Sequence, residues 1–301
     1  MGHGLAIHFA LHDRDPTLID HRESNLERAT DKITEAITFL RDEGMTEESI
    51  DDVFERIDFT IDREGGVDGK SVVIESITED LKAKQDLFES LVREASETAV
   101  LASNTSSLPI SDIAKAVPDH AERIVGCHWW FPPYLLTPVE VIRGEQTDDE
   151  YYERLVDFVK SVNRDPIRVQ KDVPGFVWNR VQYAVIRECL HLIEAEVASV
   201  EDVNRAIRDG YATRTVAIGP LETVDIAGLD LVTTIAEDLY PQLNADTEPN
   251  ETLQDRLTDG HTGIDAGEGL LSYEDPPETI TSRRDRKVIA IRRALKETER
   301  E

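Results

Sequence analysis

The sequence is poor in cysteine, in positive charge and in long hydrophobic runs. Its two cysteines, Cys127 and Cys189, form no CxxC pair, which argues against a disulfide framework and a cysteine metal site. We expect both thiols to pack as small apolar groups. No run of about 18 apolar residues occurs, and no basic N-terminal segment precedes an apolar one. We therefore expect no membrane span, no secretory signal and a cytoplasmic protein.

The charge balance is strongly acidic. Lysine and arginine number 33 against 62 acidic residues, so the formal net charge is -29. Such a chain repels phosphate, and its densest basic stretch is the short run 283–287. Nucleic acid is therefore not an expected partner. An acidic shell of this size around a chain with 40% hydrophobic residues is typical of a halophilic cytosol, which is our hypothesis for the habitat.

Short apolar runs alternate with amphipathic stretches in the first half of the chain. The runs predict β-strands and the stretches predict α-helices. Strands separated by helices imply crossover connections and a parallel sheet. The predicted strands cover 71–75, 99–103, 123–129, 140–142 and 167–169, and the predicted helices cover 79–97, 110–116 and 148–162.

The pattern becomes helical after Pro174. Val181, Val185 and Cys189 recur at helical spacing within a wide apolar stripe, which predicts a largely buried helix at the centre of an all-helical domain. The sequence VPG interrupts the pattern after Asp172, so we place the domain boundary there. The predicted domains are 1–172 and 173–301.

The N-terminus contains part of a dinucleotide-binding pattern. Such a site needs a strand, a GxGxxG turn, a helix facing the pyrophosphate, and an acid about 20 residues further on. Gly2 corresponds to the last glycine and precedes an amphipathic helix. Asp20 ends a short predicted strand and corresponds to the acid that binds the adenosine ribose. A carboxylate there disfavours a 2′-phosphate, so we predict NAD rather than NADP.

The first strand and the first two glycines of this pattern do not occur in the sequence. Losing a central strand leaves its two neighbours unpaired and removes part of the phosphate-binding loop. We therefore expect Met1 to be an internal methionine of a longer chain. The alternative is a fold that lacks this strand.

Five motifs follow one another along most of the chain. They are ASNTSS at 102–107, HWWFPP at 128–133, VEVIRG at 139–144, PGFVWNR at 174–180 and GPLETVDIAGLD at 219–230. In this order they resemble the L-3-hydroxyacyl-CoA dehydrogenase family, which includes the L-gulonate 3-dehydrogenase and lambda-crystallin branch. The resemblance implies an α/β fold, with an NAD-binding doubly wound Rossmann-type sheet before an all-α domain. It also implies that the helical domain binds substrate and forms a homodimer.

A histidine and a glutamate stand where oxidation of an alcohol needs them. A base with a pKa near neutrality must remove the hydroxyl proton as hydride leaves, and histidine meets that requirement. His128 ends a predicted strand, at the edge where parallel sheets bind ligands. Glu140, twelve residues later, would return on an adjacent strand and accept the other imidazole N–H. We predict a His128–Glu140 dyad; the alternative is an ordinary histidine at a strand end.

Five further site residues are implied by the resemblance. Ser106 would bind the substrate hydroxyl and also line the cofactor site, and Asn179 would polarise the new carbonyl. As isolated residues, both would be read as caps or turns. Asn104, Glu79 and Lys84 would line the cofactor site. The alternative for Glu79 and Lys84 is a pair of charges on a solvated helix face.

The sequence departs from the family pattern where cations usually bind ligands. Phe131 replaces an asparagine, and Ala36 and Glu43 stand where characterised acyl-CoA enzymes have a serine and a lysine that contact CoA. Asp265 replaces a lysine that contacts the cofactor. Losing cations removes charge-assisted bonds to a polyanionic substrate. The first hypothesis remains an L-3-hydroxyacyl-CoA of fatty acid oxidation; the others are a free 3-hydroxy acid of the L-gulonate or carnitine type, and a non-catalytic homologue.

Overall fold

The chain divides into two compact units, Met1–Arg180 and a second one that begins at Val181. The computed structural model describes residues 1–298. The first unit alternates strands and helices, and the second is helical. This order confirms the predicted fold class. The predicted domain boundary at Asp172 precedes the division between the units.

Seven strands and seven short or medium helices lie within the first unit. The strands are β1 (Thr17–Ile19), β2 (Asp58–Thr60), β3 (Val72–Glu75), β4 (Val100–Ser103), β5 (Ile124–Trp129), β6 (Pro138–Arg143) and β7 (Asp165–Val169). The helices are α1 (Gly2–Ala10), α2 (Glu23–Asp42), α3 (Ile50–Glu55), α4 (Arg63–Val67), α5 (Leu81–Glu94), α6 (Ile110–Ala114) and α7 (Asp149–Ser161).

Five strands form one sheet in the order β3-β4-β5-β6-β7. Strands β3, β4 and β5 pair in parallel, whereas β6 pairs antiparallel with β5. The predicted parallel sheet is therefore wrong at β6, because only residues 130–137 link β5 to it. A parallel return would require a crossover of about a dozen residues or more. Strand β7 again runs parallel to β6.

Strands β1 and β2 form a separate, two-stranded parallel sheet. In space, no strand of residues 1–298 lies between β1 and β3. A cavity of about 800 Å³ occupies this place, lined by residues of β1, β3 and α1. The edges of β1 and β3 that face it take no strand partner among residues 1–298.

Helices cover both faces of the larger sheet. Successive side chains of a strand point to opposite faces, and in these strands both sets are largely apolar. Leu101 and Ile124 face one apolar cluster with Phe88 of α5, and Val100 and Val125 face the other. All five side chains are fully buried. Burial of each such side chain contributes about 1.5–3 kcal/mol. Cys127 is a free thiol in the second cluster, in agreement with the expectation of apolar packing.

The second unit consists of helices. They are α8 (Trp178–Glu194), which begins in the first unit, α9 (Val200–Arg205), α10 (Thr213–Ala217), α11 (Pro220–Ala227), α12 (Leu229–Leu239), α13 (Glu251–Thr258) and α14 (Pro277–Thr298). A π-helical turn, Ala206–Ala212, joins α9 to α10, and the longest link is 259–276 between α13 and α14. Along residues 1–298, no helix has the length and apolar character needed to cross a membrane.

The apolar stripe of α8 is only partly buried. Val181 is 53% exposed, Val185 and Cys189 are half-buried, and Leu190 is the buried residue of this helix. Tyr183, outside the stripe, is 64% exposed. The prediction of a largely buried helix was therefore wrong for a single chain. The reason is that the second unit does not close around it: in 181–298, the buried apolar side chains are Leu190, Val203 and Ile289.

Candidate active site

The antiparallel pairing of β5 and β6 brings the two predicted dyad residues together. His128 and Glu140 stand directly opposite each other in the register. Nδ1 of His128 lies 2.7 Å from Oε2 of Glu140. Both side chains are buried, and Glu140 is completely enclosed. The short link that reverses the chain is therefore what places a carboxylate against the imidazole.

The second oxygen of Glu140 binds the start of α8. Its Oε1 accepts hydrogen bonds from the backbone N–H groups of Val177 at 2.8 Å and Trp178 at 3.0 Å. Burial raises the pKa of Glu140, but the hydrogen bonds from His128 and these two N–H groups hold it below its ordinary value. An ionised Glu140 retains the proton on Nδ1 of His128, so that Nε2 is the nitrogen that accepts a proton.

The loop after β4 is gathered around one carboxylate oxygen. Oε1 of Glu79 accepts bonds from the Thr105 hydroxyl at 2.7 Å, the Ser106 N–H at 2.8 Å and the Ser107 N–H at 2.9 Å. Burial raises the pKa of Glu79, and the Thr105 hydroxyl and the two backbone N–H groups outweigh that effect and lower it. Glu79 therefore fixes the backbone that presents Ser106.

Lys84 forms an ion pair with the Glu79 carboxylate. It is 1% exposed, and its Nζ lies 2.7 Å from Glu75 and 3.4 Å from Glu79. The alternative of two charges on a solvated helix face is wrong, because Lys84 is enclosed and α5 begins only at Leu81, after Glu79. The role of both residues in binding the cofactor remains a prediction.

Sequence reasoning missed Glu75. One of its oxygens binds Lys84, and the other accepts the Ser103 hydroxyl at 2.6 Å. The available signal was an acid at the end of the otherwise apolar run SVVIE. An acid at the end of a buried strand requires a partner, and that partner lies on the next helix.

The two predicted asparagines lie beside the serine loop and the dyad strand. Nδ2 of Asn179 donates to the backbone oxygen of Ser106 at 2.7 Å, which leaves its second N–H for another acceptor. Asn104 joins two strand ends: its Oδ1 accepts the Trp129 N–H at 2.8 Å, and its Nδ2 donates to Ser76 at 3.3 Å. The structure therefore brings Ser106 and Asn179 together, and it links Asn104 to β5.

Gly2 and Asp20 line the cavity between β1 and β3, and Ser76 lines it as well. Oδ1 of Asp20 accepts the Arg22 N–H at 3.0 Å and the Asn25 amide at 2.8 Å. A Cβ atom on Gly2 would stand 3.2 Å from Leu18, so the backbone packs closely there. The N-terminus of α1, at Gly2, suits a phosphate group, and the carboxylate of Asp20 suits the hydroxyls of a ribose. The residues present therefore fit the adenosine half of NAD.

Two tryptophans form a stacked pair next to the dyad. The rings of Trp130 and Trp178 lie 4.1 Å apart at an interplanar angle of 25°. Sequence reasoning singled out Phe131, the residue that replaces the asparagine of the family pattern, and Phe131 is 53% exposed. That reasoning did not single out Trp178, because only the folded chain brings 178 beside 130.

Comparison with known families identifies both parts of the chain. Residues 1–173 match the 3-hydroxyacyl-CoA dehydrogenase NAD-binding domain, and residues 175–273 match the C-terminal domain of the same enzymes. The chain belongs to the 3-hydroxyacyl-CoA dehydrogenase family. It is an NAD-dependent oxidoreductase of that family, as predicted.

Curated members of the 3-hydroxyacyl-CoA dehydrogenase family differ in substrate. The chain is 31% identical to 5-formyl-3-hydroxy-2-methylpyridine 4-carboxylate 5-dehydrogenase of Mesorhizobium japonicum, over 98% of this chain and 95% of that one. It is also 31% identical to human mitochondrial hydroxyacyl-coenzyme A dehydrogenase, over 91% and 88% of the two chains.

Solved structures of the family are similar to different degrees. A 5-formyl-3-hydroxy-2-methylpyridine 4-carboxylic acid 5-dehydrogenase, described as an NAD+-dependent dismutase, has a TM-score of 0.90 and 31% identity, with coverage of 98% and 95%. The (S)-3-hydroxybutyryl-CoA dehydrogenase of Ralstonia eutropha has a TM-score of 0.74 and 27% identity, with coverage of 91% and 96%.

The two positions expected to contact CoA offer no cation. Ala36 is 8% exposed on the inner side of α2, and Glu43 directly follows the last residue of that helix. Neither side chain can neutralise a phosphate.

Proposed function

We propose that this dehydrogenase uses His128 to remove the hydroxyl proton of a small substrate while NAD takes the hydride. The observation that carries the proposal is the 2.7 Å contact between Nδ1 of His128 and the buried carboxylate of Glu140. Glu140 holds the imidazole in one tautomer and stabilises the imidazolium that forms. When bound, NAD supplies the nicotinamide ring that accepts the hydride.

The remaining residues orient the substrate. Ser106, held by Glu79, binds the hydroxyl, and the second amide N–H of Asn179 donates to the oxygen as it becomes a carbonyl. Gly2 and Asp20 would hold the phosphate and ribose of the adenosine half, while Asn104, Glu79 and Lys84 would support the nicotinamide half. The product is the corresponding aldehyde or ketone.

For the substrate, we favour a small free hydroxyl compound, and the alternative is an L-3-hydroxyacyl-CoA. Three observations support the free substrate: Ala36 and Glu43 at the expected CoA contacts, the net charge of -29, and the higher TM-score of the pyridine enzyme. Motifs such as ASNTSS at 102–107 support the acyl-CoA alternative.

A direct assay tests both proposals. The full chain and NAD are incubated with 3-hydroxybutyryl-CoA, 3-hydroxybutyrate, L-gulonate, L-carnitine and a hydroxymethylpyridine carboxylate, and NADH formation is followed. We expect turnover of a free compound that falls by at least about 10²-fold in His128→Ala, with exposed His120→Ala as the control. Turnover of the CoA ester alone would reverse the choice of substrate. Absence of both turnover and NADH binding would favour the non-catalytic alternative, whereas tight NADH binding would count against it.

We further propose that the second unit forms a homodimer. The supporting observation is that many large apolar side chains of this unit are exposed in a single chain. Among them are Leu221 at 80% and Ile226 at 71% exposure. Exposed apolar patches of this kind mark protein interfaces. Sedimentation analysis of the purified chain measures the assembly state directly.

A further inference from the structure

The stacked tryptophans lie on the dyad side of the sheet. Side chains alternate along β5, so Trp129 enters the apolar core, where it is 3% exposed. His128 projects to the other side, and Trp130 directly follows the end of β5. Trp178 meets Trp130 there because its own N–H binds Glu140. The pair is therefore attached through one carboxylate to the residue that takes the proton.

The stack leaves an open aromatic surface. With Trp130 against one face, Trp178 is still 38% exposed. The backbone of Trp178 is held by its position at the start of the 17-residue helix α8 and by its N–H bond to Glu140, and the stack on Trp130 restrains its ring. A fixed, partly exposed indole is a surface on which a second planar ring can stack in an offset arrangement.

The arrangement also carries a free-energy cost. The indole Nε1 of Trp130 is buried and has no hydrogen-bond partner within residues 1–298. A buried donor without an acceptor destabilises a fold. Buried polar groups without a partner are expected chiefly at functional sites. The unpaired indole N–H of Trp130 therefore supports a functional role for the stack.

We propose that Trp178 selects substrates whose carbinol carbon is attached to a planar ring. The ring stacks on the exposed part of Trp178 while the hydroxyl reaches Nε2 of His128. The carbinol C–H leaves as hydride to NAD, the O–H proton goes to His128, and an aryl aldehyde or ketone results. This inference rests on the proposed dehydrogenase function and names its substrate class.

A matched pair of acids tests the inference. 3-Hydroxy-3-phenylpropionate and 3-hydroxybutyrate differ only by phenyl in place of methyl on the carbinol carbon. We expect the wild-type chain to prefer the phenyl acid in kcat/KM, and Trp178→Leu to reduce that preference about tenfold through KM, since a ring pair contributes about 0.5–1.5 kcal/mol, which corresponds to roughly 2- to 13-fold. Trp178→Phe should restore most of it. Tyr183→Leu, which removes another exposed ring of α8, should leave it unchanged.

Equilibrium binding separates this inference from the proposed function. With NADH present, the phenyl acid should quench tryptophan fluorescence in the wild-type chain but not in Trp178→Leu, whether or not turnover is detected. No quenching by the acid, or equal turnover losses for both acids, would overturn the inference. A loss of NADH affinity in Trp178→Leu with an unchanged phenyl preference would assign the ring to nicotinamide instead and would also overturn it.

Discussion

The two units of this chain use apolar residues in opposite ways. In the first, side chains such as Phe88, Leu101 and Val125 are fully buried against a sheet. In the second, Leu221 and Ile226 remain largely exposed. A sheet covered by helices on both faces closes its own core, whereas the helices of the second unit bury only Leu190, Val203 and Ile289 among the apolar residues of 181–298. The first unit therefore has a closed core that can position the residues of the candidate active site, whereas the second unit has an exposed apolar surface.

The largest effect is expected on kcat, from a substitution that breaks the His128–Glu140 dyad of the first unit. Glu140→Gln keeps the size of the side chain but removes the charge that fixes the His128 tautomer, so kcat should fall by about 10³- to 10⁴-fold. Steady-state kinetics measure this loss. The matched control is Glu145→Gln at an exposed position, which should retain activity. Equal rates in the two variants would remove Glu140 from the mechanism.

The next largest effect is on the free energy of unfolding, and it compares a buried residue of the first unit with an exposed residue of the second. Phe88→Ala should lower the free energy of unfolding by about 3–5 kcal/mol, because it leaves a cavity in a closed core. Leu257→Ala in α13, where the leucine is 64% exposed, should change it by about 0.5 kcal/mol or less at concentrations where the chain is monomeric. Chemical denaturation of both variants measures the difference. Similar losses would show that the second unit has a closed core after all.

A smaller effect concerns assembly. Ile226→Glu places a charge in the proposed interface and should weaken the dimer at least about 100-fold, as seen by sedimentation at constant salt. Ile61→Glu, at an isoleucine of the first unit that is 59% exposed, is the matched control and should leave the dimer intact. If both variants stay dimeric, the exposed face of α11 is not the interface.

The smallest effect is a pH dependence confined to the first unit. Burial, and next the charge of Arg164, lower the pKa of His8 to about 2. Below its ordinary value of 6.5, the unfolded chain takes up a proton that the folded chain refuses, so stability falls as the pH falls from about 6.5 towards 2.

His8→Gln should remove this contribution. The slope of unfolding free energy against pH between about 6 and 4 should decrease by up to one proton, or about 1.4 kcal/mol per pH unit. Denaturation at several pH values measures it, with His120→Gln as the exposed control. An unchanged slope would mean that His8 titrates alike in both states.

The periodic elements of the first unit could be predicted from the sequence because they depend on neighbouring residues. The apolar runs at 71–75 and 99–103 became β3 and β4, since buried strands carry their own signal. The direction of β6 has no periodic signal. It follows from the length of the link 130–137, which is too short for a parallel crossover, and periodicity alone therefore predicted it wrongly.

By itself, the sequence determined the family and the fold class, and it predicted that His128 and Glu140 would meet as a pair. These properties are encoded in residue types and their order. Tertiary structure alone decided the contacts of Glu79 with the serine loop, the stack of Trp130 on Trp178, and the exposure of α8. The physical reason is that each of these depends on residues far apart in the chain. Whether such residues come into contact, or stay exposed, is decided by the packing of the whole fold.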